Sequence, residues 1–94
     1  MIIKIICNDA LIEVIGEPFA IDGLEEQFCV HRSESLERCK YTASHCKTGH
    51  RIAVGETING TIENAKKRWA TMSADNIKFC LNEAAKVRAR FENV

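Results

Sequence analysis

Tyr41-Thr42-Ala43-Ser44-His45-Cys46-Lys47-Thr48-Gly49-His50-Arg51-Ile52-Ala53-Val54-Gly55-Glu56-Thr57 is the stretch that decides the fold. Two short runs that tolerate a pleated backbone, Tyr41 to His45 and Arg51 to Val54, flank Lys47-Thr48-Gly49-His50. Gly49 can take the positive φ that a tight connection needs, so the pattern predicts a β-hairpin. Ile52 and Val54, two residues apart, are expected to share its buried face. Thr57 then offers a side-chain oxygen to an orphan N–H of a first helical turn. A helix is predicted from Ile58, because Ile58, Ile62, Ala65, Trp69 and Met72 step by four, three, four and three residues along one side. Gly60 costs about 1 kcal/mol of helix propensity relative to Ala, which requires either close packing or a weak helix start.

Outward toward the C-terminus, Ser73 is placed to cap a second helix and Asp75 suits its positive end. Ile77, Leu81, Ala84, Val87 and Phe91 form its apolar stripe, with Lys86, Arg88 and Arg90 toward the negative end. Outward toward the N-terminus, Ser33 to Lys40 reads as a connection with room for one helical turn, and Phe28 to Arg32 as a short strand. Phe19 to Gln27 reads as loop, with a turn at Asp22-Gly23 and a solvated Glu25-Glu26 pair. Met1 to Glu17 is expected to be a hairpin turning at Asn8-Asp9. That register sets Lys4 opposite Glu13, Ile6 opposite Leu11, Ile5 opposite Ile12 and Ile3 opposite Val14. Ile on both faces predicts one buried side and one partly covered side. Gly16-Glu17-Pro18 is expected to end the unit, since Pro cannot donate to a ladder. The expected order is β-β-β-β-β-α-α: a single α+β domain over residues 1–94, in which an antiparallel sheet of about five strands carries two C-terminal helices on one face.

The 94 residues suit one core. An apolar fraction of 46% and a charged fraction of 28% are ordinary for a globular chain, which argues against disorder. With 13 basic and 13 acidic residues, no global field announces nucleic acid. The charge is nevertheless divided. Residues 1–56 hold 6 Lys/Arg and 9 Asp/Glu, and residues 57–94 hold 7 and 4, so an acidic sheet half and a basic helical half are expected. No run approaches the ~20 apolar residues of a membrane span, and Met1 to Cys7 is too short for a signal-peptide core. The expectation is a cytoplasmic protein whose five cysteines, an odd number without paired spacing, stay reduced.

Three constellations carry potential chemistry. Cys29, His31, Cys39, His45, Cys46 and His50 have zinc-ligating side chains, but no Cys-x-x-Cys or His-x(3–5)-His block comes with a matching pair, and His45 and Cys46 are expected on opposite strand faces. Buried thiols and surface histidines are the expectation, with no metal or cofactor. A Cys–His nucleophile has no local signature to select its thiol and no Gly-rich oxyanion turn. Lys66-Lys67-Arg68, with Lys78, Lys86, Arg88 and Arg90, makes a basic helical half compatible with phosphate contacts on double-stranded RNA. Glu63, Glu83 and Glu92 are interspersed there, as on a solvated face.

Gly55-Glu56-Thr57-Ile58-Asn59-Gly60-Thr61-Ile62-Glu63-Asn64-Ala65 resembles the sheet-to-helix junction of the HicB-like antitoxin family, in which Gly-Asp/Glu-Thr follows a three-stranded sheet and leads to Asn-Ala. Gly55, Glu56, Thr57, Asn64 and Ala65 match in register. Thr61 stands in place of the usual Ala, Gly60 replaces an acidic residue, and the N-terminal hairpin is an addition. Ser44-His45-x-x-Thr48-Gly49-x-x-Ile52-Ala53-x-Gly55-x-Thr57 also looks like a pattern of small phage and prophage proteins, which implies an accessory gene of a mobile element.

Together these readings predict a non-enzymatic protein-interaction module, acting on a protein partner or on a second copy of itself, with the hairpin tip, His45, Lys47, Thr48 and His50, as the contact surface. A nucleic-acid-binding accessory protein using Lys66, Lys67 and Arg68 is the alternative, and a HicB-like antitoxin component is a further one.

Overall fold

The computed structural model of the chain describes residues 1–7, 10–33 and 40–92. Five strands, β1 (Ile2–Cys7), β2 (Ala10–Ala20), β3 (Gln27–Arg32), β4 (Tyr41–His45) and β5 (Arg51–Gly55), precede two helices, α1 (Ile58–Ala70) and α2 (Ala74–Glu92). The strands form one antiparallel sheet in sequence order, so the protein is α+β, as expected. The predicted turn at Asn8-Asp9 and most of the Ser33 to Lys40 connection lie outside the described residues.

The first hairpin takes the register read from sequence, Ile3 with Val14, Lys4 with Glu13, Ile5 with Ile12 and Ile6 with Leu11. Its second face differs from expectation. Ile3, Ile5 and Val14 are buried, whereas Ile2 is 66% and Ile15 78% exposed, so the outer face is open rather than partly covered.

Pro18 does not end β2. The strand runs on to Ala20, pairing residues 10–15 with β1 and residues 16–20 with β3. Gly16 N–H donates to Met1 O at 2.8 Å, so alternate residues of β2 turn their amides toward the β1 side. Pro18 is the next such residue, and β1 has already ended; no ladder bond is lost there. Phe19 and Ala20 thus belong to β2 and Gln27 to β3, and the loop shrinks to residues 21–26 around the expected Asp22-Gly23 turn, where Gly23 has φ 86°.

β3 is covered on both sides. Phe28 belongs to the helix-facing core with Ala43, Ile52, Ala65, Trp69 and Ile77, while Cys29 packs with Ile3, Ile5 and Val14 on the other side. Phe28 is the hub: its ring lies 5.7 Å from that of Phe19, 5.5 Å from His45 and 5.6 Å, edge-on, from Trp69. Burying such a side chain stabilises the fold by roughly 1.5–3 kcal/mol.

The expected face sharing of Ile52 and Val54 is corrected by a register shift between Ala43 and Ser44. Ala43 pairs with Ala53 and Ser44 with Arg51, leaving Ile52 as the extra residue of a β-bulge. Ile52 and its neighbour Ala53 therefore both meet the helix-facing core. Val54 pairs with Thr42 and is only half-buried.

α1 begins where predicted. Thr57 Oγ1 accepts from Gly60 N–H at 2.9 Å. A Cβ on Gly60 would stand 2.8 Å from that hydroxyl, so close packing of the cap accounts for the glycine. Its inner face is Thr61, Ala65 and Trp69, four residues apart. The Thr61 hydroxyl, wholly buried, donates to Thr57 O at 2.7 Å, and Gly55 is bare where the same hydroxyl approaches. Asn64 Nδ2 donates to Val54 O at 2.9 Å and so covers a carbonyl on the edge strand β5. α2 starts at the expected cap, with Asn76 N–H donating to Ser73 Oγ at 3.2 Å. Its stripe is buried at Ile77 and Ala84 only; Val87 is 39% exposed.

Candidate functional site

The β4–β5 hairpin tip is held from within. Gly49, at φ 73°, donates its N–H to His45 O at 2.7 Å, and its bare Cα lies against the backbone of Lys4 and Ile5 in β1. A side chain there would collide with that strand, so the glycine serves a close approach as well as a left-handed turn.

The four residues expected to form the contact surface separate into two pairs. His45 and Thr48 are buried, at 2% and 3% exposure, and Lys47 and His50 are exposed. His45 Nδ1 lies 2.8 Å from Thr48 Oγ1 and Nε2 lies 2.7 Å from Glu26 Oε2. His50 N–H donates to Thr48 Oγ1 at 3.2 Å. A neutral ring protonated on Nε2 satisfies the whole set: Nε2–H donates to Glu26, the Thr48 hydroxyl donates to Nδ1, and Thr48 Oγ1 accepts from His50. This chain of bonds ties the β2–β3 connection to the hairpin tip. It departs from the sequence expectation in three places: His45 is not a surface histidine, Thr48 is buried at the tip, and Glu26 is hydrogen-bonded rather than merely solvated. His31 is buried too, with Nε2 2.9 Å from Ser44 Oγ.

The Thr–His–Glu chain has the composition of a nucleophilic triad, yet Thr48 is 3% exposed and its Oγ1 is already engaged by His45 Nδ1 and the His50 N–H. Nor are the thiols poised. Burial, reinforced by neighbouring Cys46, pushes the Cys29 pKa up to about 12, and burial raises that of Cys46. Among the described residues no three of His, Cys, Asp and Glu come together in a metal-holding group; Cys39 lies outside them.

His50 stands at a groove of about 620 Å³ between the hairpin tip and α2, lined by Gly49, Arg51 and Arg68 on one wall and Phe79, Ala84 and Val87 on the other. Desolvation by the surrounding protein, and then the positive charges of Arg68 and Arg51, lower its pKa. Phe79 is 65% exposed on this groove. The sequence reading did not select it, because it falls off the apolar stripe of α2; the signal was an isolated aromatic on the polar side of an amphipathic helix. Glu83, the acid lining the groove, is paired with Lys86 at 3.2 Å.

Lys66, Lys67 and Arg68 are all exposed. At about 100° per residue they fan around α1, and Lys66 lines a separate cleft of about 630 Å³ beside Trp69 and Leu24, whereas Arg68 lines the tip groove. Lys66 and Arg68 thus face different clefts. No helix among the described residues is long and apolar enough to cross a membrane.

No protein-family model matches the chain, and neither a curated protein nor a solved structure matches it. In the structure the junction residues shared with the HicB-like pattern do mechanical work: Gly55 admits Thr61, Thr57 caps α1, Asn64 covers β5 and Ala65 is core.

Proposed function

We propose that the protein is a non-enzymatic, cytoplasmic interaction module that binds a partner protein in the groove between the hairpin tip and α2. The exposed ring of Phe79 beside that groove carries the reading. A large aromatic left in water at the wall of a concave surface is the kind of residue that anchors protein contacts. The occupant we infer is a partner segment that presents an apolar side chain next to a carboxylate. Arg68 makes the rim positive, a field that adds to desolvation in lowering the His50 pKa, and Glu83 is offset by Lys86. Of the contact residues named from sequence, Thr48 and His50 line the groove, Lys47 lies outside its lining and His45 supports the tip. The HicB-like junction and the phage-type pattern favour the same class of role, an accessory protein that works through protein contacts.

Capture from host lysate by tagged wild type and Phe79→Asp, each at low and high salt, tests this. The expected result is a discrete protein that survives high salt on wild type and is lost on the folded variant. Nucleic acid recovered only at low salt, and lost on neutralising Lys66, Lys67 and Arg68, would move the function to the basic helical face. A self-associated protein with no captured partner would make the occupant a second copy.

A further inference from the structure

On the side of the sheet away from α1, three sulfurs converge at the start of the chain. Met1 N donates to Gly16 O at 3.1 Å and Gly16 N–H donates back to Met1 O at 2.8 Å, so Met1 is fixed beside β2. Gly16 also touches Cys29: a Cβ added there would lie 2.5 Å from Cys29 Sγ, so the thiol occupies the space of the missing side chain. Cys46 arrives directly after β4. Its N–H donates to Gln27 O at 3.0 Å, which seats it diagonally from Cys29 and packed against the same apolar cluster. Cys46 Sγ is 3.8 Å from Met1 Sδ. The set grades from core to solvent, since Cys29 is buried, Cys46 half-buried and Met1 exposed. A cleft of about 440 Å³, lined by Met1, Cys46, Lys4, Lys47 and Arg88, opens on it.

We propose that Cys29, Cys46 and Met1 form a three-sulfur binding site for a soft monovalent metal ion of the Cu(I) class. Sulfurs sharing one ion at bonds of about 2.3 Å stand about 3.8–4.0 Å apart in tetrahedral or trigonal arrangement, which matches the Cys46–Met1 separation. Two thiols and a thioether, with no fourth ligand among the described side chains, suit a soft ion of low coordination number; structural zinc takes four. Binding replaces two thiol protons, which leave to solvent, so Cu(I), two thiolates and one thioether carry one net negative charge. Lys4 and Lys47 line the opening to offset it, Arg88 on the same cleft is paired with Glu92 at 2.8 Å, and Glu26, the acid there, is bound to His45. The cleft supplies an entry path to Cys46 and Met1, with Cys29 as the inner ligand.

The test is a competition titration of the reduced protein, under exclusion of oxygen, with Cu(I) against the chromogenic chelator bicinchoninate. Cys46→Ser, Cys29→Ala and Cys80→Ala variants are run alongside, each checked for fold by circular dichroism. The expected result is one ion withdrawn from the chelator per chain, loss of that ion in Cys46→Ser, and its retention in Cys80→Ala. Because Cys29 is core, Cys29→Ala counts only if folded; the second readout is independent of it. On loading the wild type with Ag(I), the methyl resonance of Met1 shifts and that of Met72 does not. Failure to compete with the chelator, binding unchanged in folded Cys46→Ser, or an unmoved Met1 methyl would each overturn the site.

Discussion

At the scale of single residues, the buried His45 is the point on which the hairpin tip depends. Thr48→Val keeps the shape but removes the hydroxyl that donates to His45 Nδ1 and accepts from His50 N–H. A buried ring nitrogen and a part-buried amide lose a partner, so a loss of roughly 1–3 kcal/mol is expected in urea unfolding, with an unchanged m-value. His50 supplies the pH dependence. Its pKa in the folded chain lies below the unfolded value of 6.5, so as pH falls through 6.5 the unfolded chain takes up the proton first. Stability contributed by neutral His50 is present above that pH and is lost on acidification until the folded pKa is passed. His50→Gln should flatten this part of the curve, as read by midpoints between pH 5 and 7.5. Some of these roles were legible in the sequence and others were not. Gly49 and Thr57 could be read because their chemistry is local: a left-handed turn and a cap depend on residues within three positions. His45 and Glu26 could not, since their pairing spans nineteen residues and the intervening connection sets it. Phe79 was missed for the opposite reason, as a helical stripe identifies residues that pack and passes over one that does not.

At the scale of elements, the sheet shows how strand edges decide what a residue can do. Pro18 is tolerated because its missing N–H faces the side of β2 where β1 has ended. Pro18→Ala should therefore change the thermal midpoint little, within the ±0.5 kcal/mol typical of surface sites away from special features, and a large stabilisation would contradict the edge assignment. Both sheet edges are guarded by helical side chains: Asn64 binds Val54 O on β5, and Arg88 Nη1 binds Lys4 O on β1 at 2.9 Å. The first hairpin was readable down to its register, because opposed charges and aliphatics specify it alone. The far half of β2 was not readable, since a strand that changes partners midway reads as two segments. The bulge in β5 was hidden similarly: one extra residue reverses the facing of Val54 while the alternation in sequence looks regular.

At the scale of the whole molecule, two apolar clusters sandwich β3, and α1 closes the larger one. α2 is attached more thinly, by Ile77 and Ala84 as its buried residues and by the reach of Arg88 to β1. Amides of α2 should exchange hydrogen well before those of β3 and β4, measurable by exchange mass spectrometry; equal protection would mean that α2 is covered in solution. That attachment leaves Phe79 and Val87 free to face a partner. The fold class was legible because strand and helix periods do not overlap in this chain. The groove was not, because it exists only where the tip meets α2, two elements about thirty residues apart. The most direct measurement places a photo-crosslinking benzoyl-phenylalanine at position 79 in cells, with the exposed Ile15 on the opposite hairpin as control. The groove account predicts a discrete protein adduct from position 79 and none from position 15. Adducts from position 15 alone, or nucleic acid as the sole product at position 79, would contradict it.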